Sequence, residues 1–177
     1  MAFYENDVEV FIDTGRLQAR VRELGAEITR DYAGKPVTLL GILKGSVFFV
    51  TDLARAVDLP LELQFLGVSS YQGGTETTGE VRITSDVTRP LHGQHVIVVE
   101  DIIDTGLTMR FLLENLEARH PASVRVCSLL EKPARARAKV DIHYKGFVIE
   151  DRFVVGYGLD YAEKYRNLPF VGVMKGK

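Results

Sequence analysis

Residues 96–109 read Val-Ile-Val-Val-Glu-Asp-Ile-Ile-Asp-Thr-Gly-Leu-Thr-Met. Four consecutive apolar residues, Val96 to Val99, suit a parallel strand buried on both faces. The run stops at two adjacent acids, Glu100 and Asp101. A third acid, Asp104, follows, then Thr105, Gly106 and Thr108, and then a helical pattern. In an open parallel sheet, ligands sit beyond the carboxyl ends of the strands. The acids are therefore expected at a ligand. The Thr-Gly-Leu-Thr turn opens the next helix with its backbone N–H groups unpaired, which makes a cradle for an anion. Acids beside such a cradle fit a sugar phosphate: carboxylates accept from ribose hydroxyls while amides hold the phosphate. Read as an ordinary strand and helix cap, the same stretch would carry three acids at a cost that nothing repays.

Outward from this stretch, strands and helices alternate. Leu17, Val21, Leu24, Ile28 and Tyr32 recur every three or four residues, which predicts an amphipathic helix over 16–33 with Asp13 or Thr14 as its cap and Pro36 as its stop. Val37 to Leu43 read as an apolar strand. Lys44-Gly45-Ser46 make a turn, and Ser46 is expected to cap a helix through Phe49, Leu53 and Val57. Residues 61–68 and 81–84 read as strands, 106–119 as a helix and 123–130 as a strand. Between them, 69–80 is polar and rich in glycine and threonine, too poor in apolar surface to pack, and is expected to be a mobile loop. Residues 140–174 predict short strands and turns forming a small cap over the sheet edge. The alternation predicts an α/β three-layer sandwich with a mainly parallel central sheet.

The chain has 177 residues, of which 46% are hydrophobic, enough for one domain with a real core spanning 1–177. Its 22 basic and 24 acidic residues nearly cancel, to a formal charge of −2, which argues against a general nucleic-acid or membrane-surface binder. No apolar run is long enough to cross a bilayer, and the first residues lack a signal-peptide layout, so a cytoplasmic location is expected. The only cysteine, Cys127, falls in a strand-like segment and reads as an inert core residue. His92, His95, His120 and His143 are scattered without ligand spacing and read as surface or structural residues. The basic run Arg135, Arg137, Lys139 reads as a solvated connector.

The stretch Glu-Asp-Ile-Ile-Asp-Thr-Gly closely resembles the phosphoribosyl-pyrophosphate (PRPP) signature of the type I phosphoribosyltransferases, and the hypoxanthine-guanine branch in particular. Further segments match, so the resemblance runs from about residue 8 to about residue 173. It implies that Glu100 and Asp101 hold the ribose hydroxyls and lie on the magnesium side. It implies that Asp104, Thr105, Gly106, Leu107 and Thr108 form the phosphate site, and that Asp104 is the catalytic base. Leu107 departs from the pattern, since relatives often carry a lysine or another polar residue there; a side-chain contact to the phosphate is lost while the turn amides remain. Leu43-Lys44-Gly45-Ser46 looks like the family's pyrophosphate loop, which carries a cis peptide before the lysine. Arg166 matches an arginine that reaches pyrophosphate, a task suited to its forked donors.

By the same resemblance, Lys132 reads the exocyclic oxygen of a 6-oxopurine, Phe153 stacks on the purine and the Val154 backbone reads its edge. Asp160 resembles the family's magnesium-side acid, acting largely through bound water. Ser70 and Tyr71 open a loop similar to the lid that closes over the reaction centre. The implied cofactor is Mg2+, the implied substrates are PRPP and a 6-oxopurine base, and the implied assembly is a homodimer or homotetramer. Two alternatives stand beside this reading. One is another type I transferase, for xanthine-guanine or a pyrimidine. The other is a regulator that keeps the fold but binds nucleic acid, which the charge balance disfavours.

Overall fold

The computed structural model describes residues 4, 6–70 and 81–176. Tyr71 and the rest of the expected lid, 71–80, lie outside them. Among the described residues, β1 (Val8–Ile12) and α1 (Thr14–Asp31) are followed by β2 (Val37–Leu43), α2 (Val47–Ala56), β3 (Leu61–Ser70) and β4 (Val81–Ser85). Then come β5 (His95–Ile103), α3 (Leu107–Glu117), β6 (Ser123–Glu131), β7 (Tyr144–Val148), β8 (Val154–Val155) and β9 (Val171–Met174). A 3-10 turn, Pro133–Arg135, follows β6.

The central sheet has six strands in the order β4-β3-β2-β5-β6-β7, parallel except for β4, which runs antiparallel along β3. β2 and β5 at its centre are buried on both faces, as their unbroken apolar runs demand. On one face, α1 and α2 bury Leu17, Val21, Leu24, Ile28, Phe49, Val50 and Leu53. On the other, α3 buries Met109, Leu112 and Leu116 against Leu40, Val96 and Val98. The expected three layers are thus present. No helix among the described residues is long and apolar enough to cross a membrane.

Several local expectations are corrected. The carboxylate of Asp13, not Thr14, caps α1, accepting from Arg16 N at 2.9 Å. Thr14 Oγ1 instead donates to the Pro169 carbonyl at 2.8 Å. Ser46 caps nothing: its hydroxyl turns back and donates to the Ile42 carbonyl at 2.6 Å, tying the turn to the strand that feeds it. β3 runs on to Ser70, which pairs with Val81, so the first two residues of the expected loop belong to a strand. β5 continues through the acids to Ile103, because β6 pairs with it that far.

The cap is also more than the segment 140–174. Within that range, β7 belongs to the central sheet as its edge strand. The cap is a three-stranded antiparallel sheet, β1-β9-β8, in which the amino-terminal strand pairs with the carboxyl-terminal one, Val8 with Met174. Its Val154, Tyr157, Leu159, Val171 and Val173 join the core on the α1–α2 face. The Tyr157 hydroxyl donates to Asp52 Oδ2 of α2 at 2.5 Å, fastening cap to helix.

Candidate active site

The carboxyl ends of β2, β5 and β6 lie side by side and the cap closes over them. Each end delivers a different chemistry. β2 ends in the turn 43–46, where the peptide joining Leu43 to Lys44 is cis, as the resemblance implies. Gly45 in that turn lies so close to Asp101 that a Cβ would overlap the carboxylate. From the cap side, Gly158 approaches the Gly45 carbonyl with no room for a side chain, and its own carbonyl accepts from Arg166 Nη1 at 2.8 Å. Arg166 is close enough for its charge to act on Asp101. Lys44, Gly45, Asp101, Gly158 and Arg166 are therefore brought together from three parts of the chain.

Glu100 and Asp101 sit within the last residues of β5, largely shielded from water. Burial pushes the Glu100 carboxyl well above its usual range, and the neighbouring Asp101 charge adds to this. Burial also raises Asp101, against partial relief from hydrogen bonds and from Arg166. Two acids that resist ionising side by side make a site that a cation would relieve. The sign follows for stability: a carboxyl raised in the fold stabilises at low pH, and that contribution is lost as pH rises from the ordinary carboxylate range through the raised value. Glu100→Gln keeps the shape and removes the penalty. The ligand-free variant should melt at a higher temperature than wild type near pH 7, with the gain vanishing at about pH 4, below the unperturbed pKa. Parallel melts at the two pH values check this; a gain equal at both would locate the effect elsewhere.

β5 leads into the turn 104–106. Gly106 adopts φ 78° and is the last residue before α3, which has no side-chain cap. A hollow of about 90 Å³ adjoins the turn and the start of α3, with Glu100, Asp104, Thr105, Gly106 and Thr108 in its lining, and the Leu107 N–H donates to Thr105 Oγ1 at 3.5 Å. The turn expected to cradle an anion lies here. The Thr105 carbonyl accepts from Arg137 N and Ala138 N, at 2.9 and 3.0 Å, which fixes the turn from outside. Leu107 contributes the first helical residue.

β6 ends at Glu131, and Lys132 follows with its side chain buried and its N–H donating to the Ile103 carbonyl at 3.0 Å. Lys132 Nζ is 3.7 Å from Asp151 Oδ1. Phe153 stands partly exposed beside Tyr161, the two rings edge-on at 5.7 Å, and Val154 lies in β8. Asp160 Oδ1 is 2.9 Å from Arg166 Nη2. Every expected site residue but Tyr71 is thus described, and Ser70 lies on β3 at the margin of the undescribed segment. A larger cleft, about 690 Å³, lies beside the Lys44 turn and is lined by Lys44, Val47, Phe48, Glu163, Tyr165 and Arg166 among others. Acids, turn residues and cations converge around the smaller hollow.

A family profile described as "Phosphoribosyl transferase domain" matches residues 11–162. The chain belongs to the phosphoribosyl transferase family. The hypoxanthine-guanine phosphoribosyltransferase of Mycobacterium avium is 48% identical to this transferase over 178 residues, covering 97% of this chain and 88% of the relative. That of Staphylococcus aureus (strain Mu50) is 46% identical over 171 residues, covering 96% of each. The crystal structure of a hypoxanthine phosphoribosyltransferase from Staphylococcus aureus matches with a TM-score of 0.94 at 45% identity, covering 98% of this chain and 95% of that one. Fold class and family are as the resemblance implied.

Around these residues the transferase also carries side chains that the sequence did not single out. Arg135, read as part of a solvated connector, lies with Nε 3.0 Å from Asp104 Oδ1 and Nη1 3.5 Å from Asp151 Oδ1. Arg135 and Asp151 therefore link Asp104 to Lys132 in one network of charges. Asp104 Oδ1 is buried without an aligned hydrogen bond, an acceptor with capacity in hand. Glu163 pairs with Lys44 and Arg166. The alternation of charges over 131–139 gives no sign of which one turns inward, whereas Glu163 could have been suspected from its place three residues before Arg166. Cys127 is buried, with burial raising its thiol pKa, as an inert core residue should be. His95 Nδ1 is 2.7 Å from Ser123 Oγ and His143 Nδ1 accepts from Val126 N, both structural contacts.

Proposed function

We propose that this transferase is a single phosphoribosyltransferase domain of purine salvage that joins hypoxanthine, guanine or both to PRPP, giving the nucleoside monophosphate and pyrophosphate. The observation that carries the reading is the meeting, at three adjoining strand ends, of an anion cradle, a pair of acids, and a buried lysine facing an aspartate network. The cradle of Thr105, Gly106, Leu107 and Thr108 takes the 5′-phosphate. Glu100 and Asp101 hold the ribose hydroxyls. Lys44, the Gly45 amide and Arg166 take the pyrophosphate. Lys132 donates to the purine's exocyclic oxygen, Phe153 stacks on the ring, and the Val154 backbone reads its edge.

The bond from the anomeric carbon to pyrophosphate breaks ahead of the new bond to purine N9, so positive charge builds on the sugar. Asp104 faces purine N7 and takes or shares its proton as N9 attacks. Arg166 and Lys44 compensate the charge on the departing pyrophosphate.

Magnesium fits this donor set. Among the described residues no three ligating side chains form a free-standing metal site. Hard oxygen donors are nevertheless present in Glu100, Asp101 and Asp160, and magnesium is commonly held by one or two carboxylates together with substrate phosphates. When bound, it supplies positive charge to the pyrophosphate. The reading further holds that the enzyme is cytoplasmic and acts on small molecules with no role for nucleic acid or membrane, and that it assembles as a homodimer or homotetramer, as the resemblance implies.

A coupled assay with hypoxanthine, guanine, xanthine, adenine and uracil tests the proposal. Hypoxanthine and guanine should turn over, adenine and uracil should not, and exhaustive chelation should abolish the activity until magnesium is returned. Preference for xanthine or uracil would favour the neighbouring transferase classes, and full activity after chelation would remove the metal.

A further inference from the structure

The turn that carries Arg166 brings its own anion. Glu163 Oε2 lies 3.0 Å from Lys44 Nζ, and Glu163 Oε1 lies 3.2 Å from Arg166 Nη2. One carboxylate thus spans the two cations that the reading above assigns to pyrophosphate, one oxygen to each. It is held in place by unusual backbone. Ala162, Glu163 and Tyr165 all have positive φ, at 48°, 63° and 72°. That conformation is disfavoured for residues with a Cβ and persists where surroundings impose it, often at functional sites. Here the surroundings are visible. Tyr161 and Lys164 exchange backbone hydrogen bonds of 3.1 and 3.0 Å, and the Glu163 N–H donates to Asp160 Oδ2 at 2.8 Å.

The pairing does not resemble a fold-stabilising contact. Lys44 and Glu163 are both mostly exposed, and exposed pairs contribute little to stability. A strained turn that presents an ionised carboxylate to two cations of a phosphate site has a use beyond stability.

We propose that Glu163 is an internal stand-in for pyrophosphate: it occupies Lys44 and Arg166 when the site is empty, yields to the pyrophosphate of PRPP, and returns as the product leaves. The inference rests on the assignment of Lys44 and Arg166 to pyrophosphate. A monoanionic carboxylate tethered to the protein competes weakly with a multiply charged ligand while bound, yet keeps the two cations from repelling each other and retaining product. Glu163 is then a positioning residue, set to lower the affinity for pyrophosphate.

The test is the sign of the effect. Glu163→Gln preserves size and loop, and removes the competing charge. Pyrophosphate should bind roughly three- to tenfold more tightly, the scale expected when two exposed ion pairs no longer compete. The product-inhibition constant and the KM for PRPP should fall together, while the KM for purine stays put. If Glu163 merely props the turn, Glu163→Gln should weaken pyrophosphate or leave it unchanged, and either result overturns the proposal. Lys44→Ala, measured beside it by the same calorimetric titration with pyrophosphate and magnesium, guards the premise. If Lys44→Ala does not weaken pyrophosphate, the assignment itself fails and the proposal falls with it. Circular dichroism melts of both variants establish that the proteins compared are folded.

Discussion

Asp104→Asn should lower turnover by roughly 10²–10⁴-fold, the usual cost of losing a general base, while PRPP affinity moves far less. The amide has the carboxylate's shape, so the turn 104–106 and the adjacent phosphate cradle should persist. What is lost is the ability to accept a proton from N7. The surroundings sharpen the expectation. Arg135 Nε stands 3.0 Å from Asp104 Oδ1, and that oxygen has no aligned hydrogen bond. Arg135 therefore anchors the carboxyl group through Oδ1. Single-turnover kinetics with hypoxanthine, together with PRPP binding measured directly, separate the two quantities. Unchanged turnover would remove Asp104 as the base, and a parallel collapse of PRPP binding would make it part of the cradle alone.

Lys132→Ala should weaken hypoxanthine and guanine and narrow their advantage over adenine. A lysine donates to a carbonyl oxygen but cannot accept from an amino group, so its loss removes discrimination as well as affinity. The lost charge-assisted bond should cost about 1.5–3 kcal/mol of oxopurine binding. Truncation does not strand a buried charge, because Asp151 keeps Arg135 as a partner. The variant should therefore fold, and its kinetics should report on recognition. Phe153→Leu is the contrasting variant. A partly exposed ring offers a flat apolar face that any purine can use, so the KM should rise for hypoxanthine, guanine and adenine with their order kept. An oxopurine-to-adenine ratio untouched by Lys132→Ala would move selectivity to the Val154 backbone.

The parts of the molecule legible in the sequence were those governed by local pattern. The 3.6-residue spacing of Leu17, Val21, Leu24 and Ile28 predicted α1, and the unbroken apolar runs of β2 and β5 predicted a buried parallel sheet. The acids after Val99 and the glycine before α3 pointed to the candidate site, because a strand end with three acids and a glycine turn opening a helix are both explained by one ligand. What escaped were features set by distant partners. β1 is too short and mixed to announce itself, and its place follows only from pairing with β9. β7 carries no signal separating a central edge strand from a cap strand; its register with β6 decides it. Ser46 has the chemistry of a cap, yet the Ile42 carbonyl within reach captured its hydroxyl. Arg135 was hidden among like neighbours, because a run of alternating charges does not tell which one folds inward.

The pairing of Val8 with Met174 has a consequence for how the enzyme comes into being. The strands from β2 to β6 come from one continuous stretch of chain and can pair as it emerges from the ribosome. The segment from Phe153 to Arg166 hangs from a sheet whose middle strand, β9, pairs with β1 on one side and β8 on the other. Such long-range closure is slow and comes late. A nascent chain halted short of β9 would lack the sheet that holds Phe153 to Arg166 in place, so the two parts of the proposed site are completed at different times.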